Sequence, residues 1–193
     1  MCNRSSEPVH SWRIHSTELI SGLSGKHSPR LEKLAEMLNE NAKVLDIGCG
    51  SGRNTLFLKK MDFHVVALDI ASTPLLSLPA ECLKVMATAD SALPFRENSF
   101  DAIVDSYTFT FIENHKLYVS ELSRILKPKG LLLVEFDKEP HIVPHSELKD
   151  ILYEVFTKIF KVIEIHEIYH AWGCIFDETK KDVPALSAIL QPM

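Results

Sequence analysis

The stretch Asp46-Ile47-Gly48-Cys49-Gly50-Ser51-Gly52-Arg53-Asn54 decides the reading of this chain. It follows the apolar run Lys43-Val44-Leu45-Asp46-Ile47 and precedes a segment carrying Leu56, Phe57 and Met61, so it is a glycine-rich turn from strand to helix. Glycines at such a turn let the backbone reverse sharply and come close to a ligand. A dinucleotide fingerprint needs its third glycine at position 53, which is Arg53, and a phosphate-binding P-loop needs a Gly-Lys-Ser/Thr that does not follow. What remains is an acidic residue two positions ahead of a Gly-x-Gly-x-Gly.

Working outward, short apolar runs alternate with amphipathic stretches, the sign of βαβ units and a mostly parallel sheet. Strands are expected at Lys43 to Ile47, Phe63 to Asp69, Cys82 to Ala87, Phe100 to Asp105 and Leu131 to Phe136. The run around Phe100 to Asp105 is almost continuously apolar, as in strands buried on both faces. Helices are expected after Gly52, at Asn114 to Leu126, where Lys127-Pro128-Lys129-Gly130 acts as the stop, and at Ser146 to Ile159 behind a Ser146 cap. Val162 to Ile168 and Trp172 to Phe176 read as two last strands, antiparallel about a turn at Tyr169-His170. The expected fold is therefore an α/β, Rossmann-like doubly wound sheet of seven strands, mostly parallel with the last strand antiparallel, with helices on both faces. Residues 1–41 are expected to form a helical cap or lid, with Leu31, Leu34, Ala35 and Leu38 on one apolar face, residues 42–181 the main domain and residues 182–193 a tail.

The segment Val44 to Gly52 resembles the first motif of class I S-adenosylmethionine-dependent methyltransferases. That resemblance implies a loop of Gly48, Cys49, Gly50 and Gly52 against the methionine part of S-adenosylmethionine, with Asp46 helping to hold its amino group. A carboxylate suits that cationic end and would repel a pyrophosphate. Asp69 closes the second strand about twenty residues on, where doubly wound folds place a carboxylate against ribose hydroxyls. Ala89-Asp90-Ser91-Ala92-Leu93-Pro94-Phe95 is similar to the adenine-binding region of the branch that includes ubiquinone-biosynthesis-type methyltransferases. By that resemblance Asp90, with Ser91 beside it, meets the exocyclic amine, and Ile70 and Leu93 supply apolar surface. Glu121-Leu122-Ser123-Arg124-Ile125-Leu126-Lys127-Pro128-Lys129-Gly130 resembles the same branch, with Lys129 where the family usually has glycine. Gly52-Arg53-Asn54 also looks like the tellurite-resistance methyltransferases.

Methyl transfer from a sulfonium is an in-line displacement that needs positioning more than a catalytic triad. By resemblance Asp105 lies near the methionine part, and Tyr107 is the candidate for the reacting centre, while no histidine is singled out as a base. The acceptor is expected to be a small molecule. The net charge of −5 argues against a broad nucleic-acid footprint, and no Asn-Pro-Pro-Tyr-type signature follows the fourth strand. A methyltransferase acting on protein or tRNA and a non-catalytic cofactor-binding regulatory partner are the alternatives. Cys2, Cys49, Cys82 and Cys174 have neither zinc nor disulfide-framework spacing, no run is long and apolar enough for a membrane span, and the expected location is cytoplasmic.

Overall fold

The computed structural model describes residues 27–137, 148–170 and 183–193. In chain order the elements are α1 (Pro29–Glu36), β1 (Lys43–Ile47), α2 (Arg53–Lys60), β2 (His64–Asp69), α3 (Ser72–Ser77), β3 (Leu83–Met86), β4 (Phe100–Ser106), a 3-10 turn (Phe109–Phe111), α4 (His115–Ile125), β5 (Leu126–Asp137), α5 (Leu148–Val155), β6 (Phe160–His170) and β7 (Val183–Pro192). The strands form one seven-stranded sheet in the order β3-β2-β1-β4-β5-β7-β6. β1 pairs in parallel with β2 and β4, β2 with β3, and β4 with β5, whereas β7 runs antiparallel to both β5 and β6. The doubly wound expectation therefore stands, with the strand order reversing between β1 and the parallel β4.

Alternation along the central strands sends successive residues to opposite layers. Leu45, Ile47, Ile103, Leu132 and Val134 pack beneath α4 and α5 together with Tyr118, Leu122 and Leu152. Val44, Ala102, Val104, Leu131 and Leu133 pack on the other face with Leu31, Leu34 and Leu58 of α1 and α2. α1 is set by its ends: Ser28 caps it by accepting from the Arg30 amide, and Leu31 and Leu34 are fully buried. Each such leucine contributes about 2 kcal/mol. The helix read at Arg30 to Leu38 thus belongs to the sheet's own core.

Three expectations are corrected. Val183–Pro192, read as a tail, is the seventh strand and lies inside the sheet, with Leu132 opposite Leu190 and Ile165 opposite Ala188. Tyr169-His170 continues β6, opposite Pro184 and Val183, where a turn was expected. The strand expected at Trp172 to Phe176 lies outside the described residues, as does Ser146. Third, Lys127-Pro128-Lys129-Gly130 stops α4 but falls within β5, as an irregularity: Phe100 pairs with Leu126 and Ala102 next with Leu131. Gly130 is required there, because a Cβ would sit 2.7 Å from Leu126 Cγ and 3.0 Å from the Asp101 carbonyl oxygen.

Candidate active site

The loop after β1 turns because three glycines adopt left-handed backbone, Gly48 at φ 63°, Gly50 at 49° and Gly52 at 82°. At Gly48 a side chain is also excluded by space: a Cβ would lie 1.9 Å from Thr108 Oγ1. Thr108 donates from that hydroxyl to the Ile47 carbonyl at 3.0 Å, stitching the loop after β4 to the end of β1. At Gly52 a Cβ would lie 2.0 Å from Leu78 Cδ2.

Asp69, at the end of β2, holds this loop in shape. Its Oδ2 accepts from the Gly50 amide at 2.9 Å and its Oδ1 from the Ala71 amide at 2.9 Å. Burial raises its pKa against the opposing pull of those amides. The Ile70 amide pulls the same way as those two, and an ionised carboxylate offers about four lone-pair positions, so the group retains acceptor capacity beyond all three. A part-exposed glycine loop beside a carboxylate with unspent acceptor capacity fits the aminoacyl and ribose parts of an adenosyl cofactor.

Asp46 is directed elsewhere. It is buried at 2 % exposure and accepts from the Thr55 hydroxyl at 2.5 Å on the first turn of α2. Burial pushes its pKa up to about 6, with Thr55 and Arg53 pulling the other way. Cys49 is buried in a small apolar cluster with Leu75, Leu78 and Cys82, and burial pushes its thiol pKa up. Ile70 is part-buried just beyond Asp69.

Asp90 ties the next loop to α4, with its Oδ1 accepting from the Glu113 amide at 2.8 Å and the Asn114 amide at 3.3 Å. Ser91 is exposed and Leu93 buried. Behind them Arg124 makes two bonds to Glu121, both at 2.7 Å, and donates to the carbonyls of Phe95 at 2.8 Å and Leu93 at 3.1 Å. Glu121 in turn accepts from the Leu93 amide at 2.6 Å.

Asp105 is the last residue but one of β4, on its α4 face, and is fully buried. It accepts from the amides of Thr108 at 2.9 Å and Phe109 at 3.1 Å and from the Tyr118 hydroxyl at 2.7 Å. Burial pushes its pKa up to about 7. Tyr107 has φ 71°, and its amide donates to the Glu135 carbonyl at 2.7 Å before the chain swings out of the sheet.

A feature not anticipated from the sequence lies on the α1/α2 face of the same sheet edge. Glu135 of β5, 1 % exposed, accepts hydroxyls from Ser28 at 2.6 Å, Ser106 at 2.8 Å and Ser187 at 3.2 Å. Arg53 donates to Ser106 at 3.0 Å, and the Ser28 amide donates to Asn54 Oδ1 at 3.1 Å. The only sequence signal was one glutamate inside the apolar run Leu131-Leu132-Leu133-Val134-Glu135-Phe136.

Residues 45–134, from β1 through β5, match a family described as methyltransferase domain. Over those residues, just under half of the chain, the sequence is that of a methyltransferase domain. This methyltransferase domain is similar to a demethylmenaquinone methyltransferase of Corynebacterium efficiens, 30 % identical over 65 % of this chain and 55 % of the relative. It is also similar to a probable tRNA methyltransferase 9B of Mus musculus, 28 % identical over 70 % of this chain and 33 % of the relative. The chain thus spans about half the length of the first relative and a third of the second. In fold the methyltransferase domain resembles a Burkholderia thailandensis 1,6-didemethyltoxoflavin-N1-methyltransferase solved with 1,6-didemethyltoxoflavin and S-adenosylhomocysteine, with a TM-score of 0.70, 16 % identity, and coverage of 100 % of this chain and 93 % of that one.

Proposed function

We propose that this chain transfers a methyl group from S-adenosylmethionine to a small-molecule acceptor in the cytoplasm. The observation that carries the reading is the bond from Gly50 to Asp69, which joins the glycine turn to a carboxylate at the β1/β2 edge of the crevice. When bound, S-adenosylmethionine supplies an electrophilic methyl on a sulfonium. Asp69 is assigned to the ribose diol, the loop of Gly48, Cys49, Gly50 and Gly52 to the aminoacyl part, and Asp90, Ser91 and Ile70 to the adenine. Asp46 and Asp105, both buried, act chiefly from behind: Asp46 fixes the first turn of α2, and Asp105 fixes the loop that carries Tyr107 toward the acceptor. The negative charge of Asp46 favours a cationic ligand at the strand ends.

The acidic balance of the chain supports a small acceptor over nucleic acid, and so do the compounds named for the Corynebacterium and Burkholderia relatives. No helix among the described residues is long and apolar enough to cross a membrane. A tRNA acceptor is the second reading, favoured by the likeness to the murine relative. Calorimetric titration with S-adenosylmethionine and S-adenosylhomocysteine tests the cofactor assignment, with micromolar binding expected and no binding to either sinking it. A screen of small molecules and of tRNA for S-adenosylhomocysteine production then separates the two readings.

A further inference from the structure

The layer between the sheet and α1/α2 is apolar along its length and turns polar at the C-terminal strand ends. Val44, Val104, Leu133 and Ile189 are followed, toward that edge, by Asp46, Ser106, Glu135 and Ser187 on β1, β4, β5 and β7, which are neighbours in the sheet. Burying a carboxylate is costly unless it is well paired. Glu135 receives three serine hydroxyls, and one of them links it to a cation: Arg53 donates to Ser106, and Ser106 donates to Glu135.

Ser106 differs from its neighbours in reaching the surface. It is part-exposed, whereas Glu135 at 1 % and Asp105 at 0 % are enclosed. It stands opposite Glu135 in the strand register and is the last residue of β4, since left-handed Tyr107 carries the chain away immediately after it. A hydroxyl has one proton and two lone pairs. The proton goes to Glu135 and one lone pair to Arg53, which leaves one acceptor position that no described residue occupies. That position lies at the reversal between β1 and β4, where open α/β sheets bind their ligands.

We propose that Ser106 is a catalytic residue that takes the proton of a protic acceptor, an O–H or N–H group, and that Glu135 is the residue behind it that receives the relayed proton. The acceptor's proton passes to Ser106 Oγ as the hydroxyl proton of Ser106 passes to Glu135 Oε2. The acceptor's lone pair forms the new bond to the methyl carbon while the carbon–sulfur bond breaks and leaves its electron pair on sulfur. Glu135 ends neutral and returns its proton to solvent by the same route. Arg53 fixes the Ser106 rotamer so that its proton faces Glu135. The inference rests on the methyltransferase reading and extends it to the class of acceptor.

The experiment uses the full chain, Glu135→Gln and Ser106→Ala, with thermal melts to establish folding and S-adenosylhomocysteine titration to establish the cofactor site. The acceptor probes are phenol, catechol, benzyl alcohol and benzylamine, against N,N-dimethylbenzylamine, which has no proton to lose. Expected are S-adenosylhomocysteine binding unchanged within about twofold in both variants and turnover of at least one protic probe by the wild type. The kcat for that probe should fall by about 100-fold or more in both variants, with KM little changed. Retention of kcat within about tenfold in either folded variant, turnover of the aprotic probe alone, or no turnover of any protic probe by a wild type that binds S-adenosylhomocysteine would overturn the relay. Failure of the wild type to bind S-adenosylhomocysteine would overturn the cofactor reading instead.

Discussion

The carboxylate of Asp105 and the hydroxyl of Tyr118 meet at 2.7 Å with both side chains fully buried, so β4 and α4 are joined by a polar bond inside an otherwise apolar layer. Burial holds the Asp105 proton to about pH 7, whereas the unfolded chain loses it near the ordinary 3.8. Between those values the folded state carries a proton that the unfolded state lacks, so this group's contribution to stability falls as pH rises. Asp105→Asn keeps a neutral group of the same shape. The melting temperature of the variant should rise relative to that of the wild type between about pH 5 and about pH 8. An unchanging difference across that range would mean that Asp105 does not hold its proton there.

Gly48 is fixed by backbone and by space together. In Gly48→Ala the left-handed φ costs about 1–2 kcal/mol, and Thr108 must also give up its place over the loop. A total loss of about 2–4 kcal/mol in urea unfolding is expected. A loss below about 0.5 kcal/mol would show that the turn relaxes freely.

Asp69 supports the cofactor loop and, on the proposed function, the ribose. Asp69→Ala removes acceptors from Gly50 and Ala71 as well as from the diol. Hydrogen bonds to charged groups contribute about 1.5–3 kcal/mol each, so S-adenosylhomocysteine affinity should fall at least about 100-fold by calorimetry. Unchanged affinity in a folded variant would remove Asp69 from the site.

Arg124 grips the carbonyls of Leu93 and Phe95 in the loop that follows Asp90. Arg124→Met keeps the length of the side chain and removes the grip. S-adenosylhomocysteine binding is expected to weaken about tenfold, or about 1.4 kcal/mol, with a smaller effect on cofactor fragments lacking adenine. Equal weakening for both would mean that the loop does not meet the adenine.

The sheet from β1 to β5 was legible because each strand is a short apolar run bounded by turn or cap residues, and the order of those runs dictates the doubly wound topology. β7 was not legible. Val183-Pro184-Ala185-Leu186-Ser187-Ala188-Ile189-Leu190-Gln191-Pro192 carries proline near both ends, which reads as loop, although each falls where strand pairing begins or stops. The Lys127-Pro128-Lys129-Gly130 stop was read correctly as an end of α4, but the offset it introduces into the pairing of β4 with β5 depends on Asp101 and Leu126, which only the folded chain brings to Gly130. In the site, Asp69 and the glycines follow from local motif and spacing. Glu135 does not, because Ser28, Ser106 and Ser187 are remote in sequence and are gathered only by the packing of α1, β4 and β7 on β5. Asp46 and Asp105 were singled out for the ligand, yet their described partners are Thr55 and Arg53 for one and Tyr118, Thr108 and Phe109 for the other.

The placement of β7 between β5 and β6 has a consequence for synthesis. Both neighbours leave the ribosome before the strand that joins them, so a growing chain presents the outer side of β5 and the whole of β6 as unpaired templates until Val183–Pro192 has emerged. Unpaired edges of this kind capture other strands. A nascent chain stalled before Val183 is accordingly open to mispairing, and the sheet closes only once β7 has emerged.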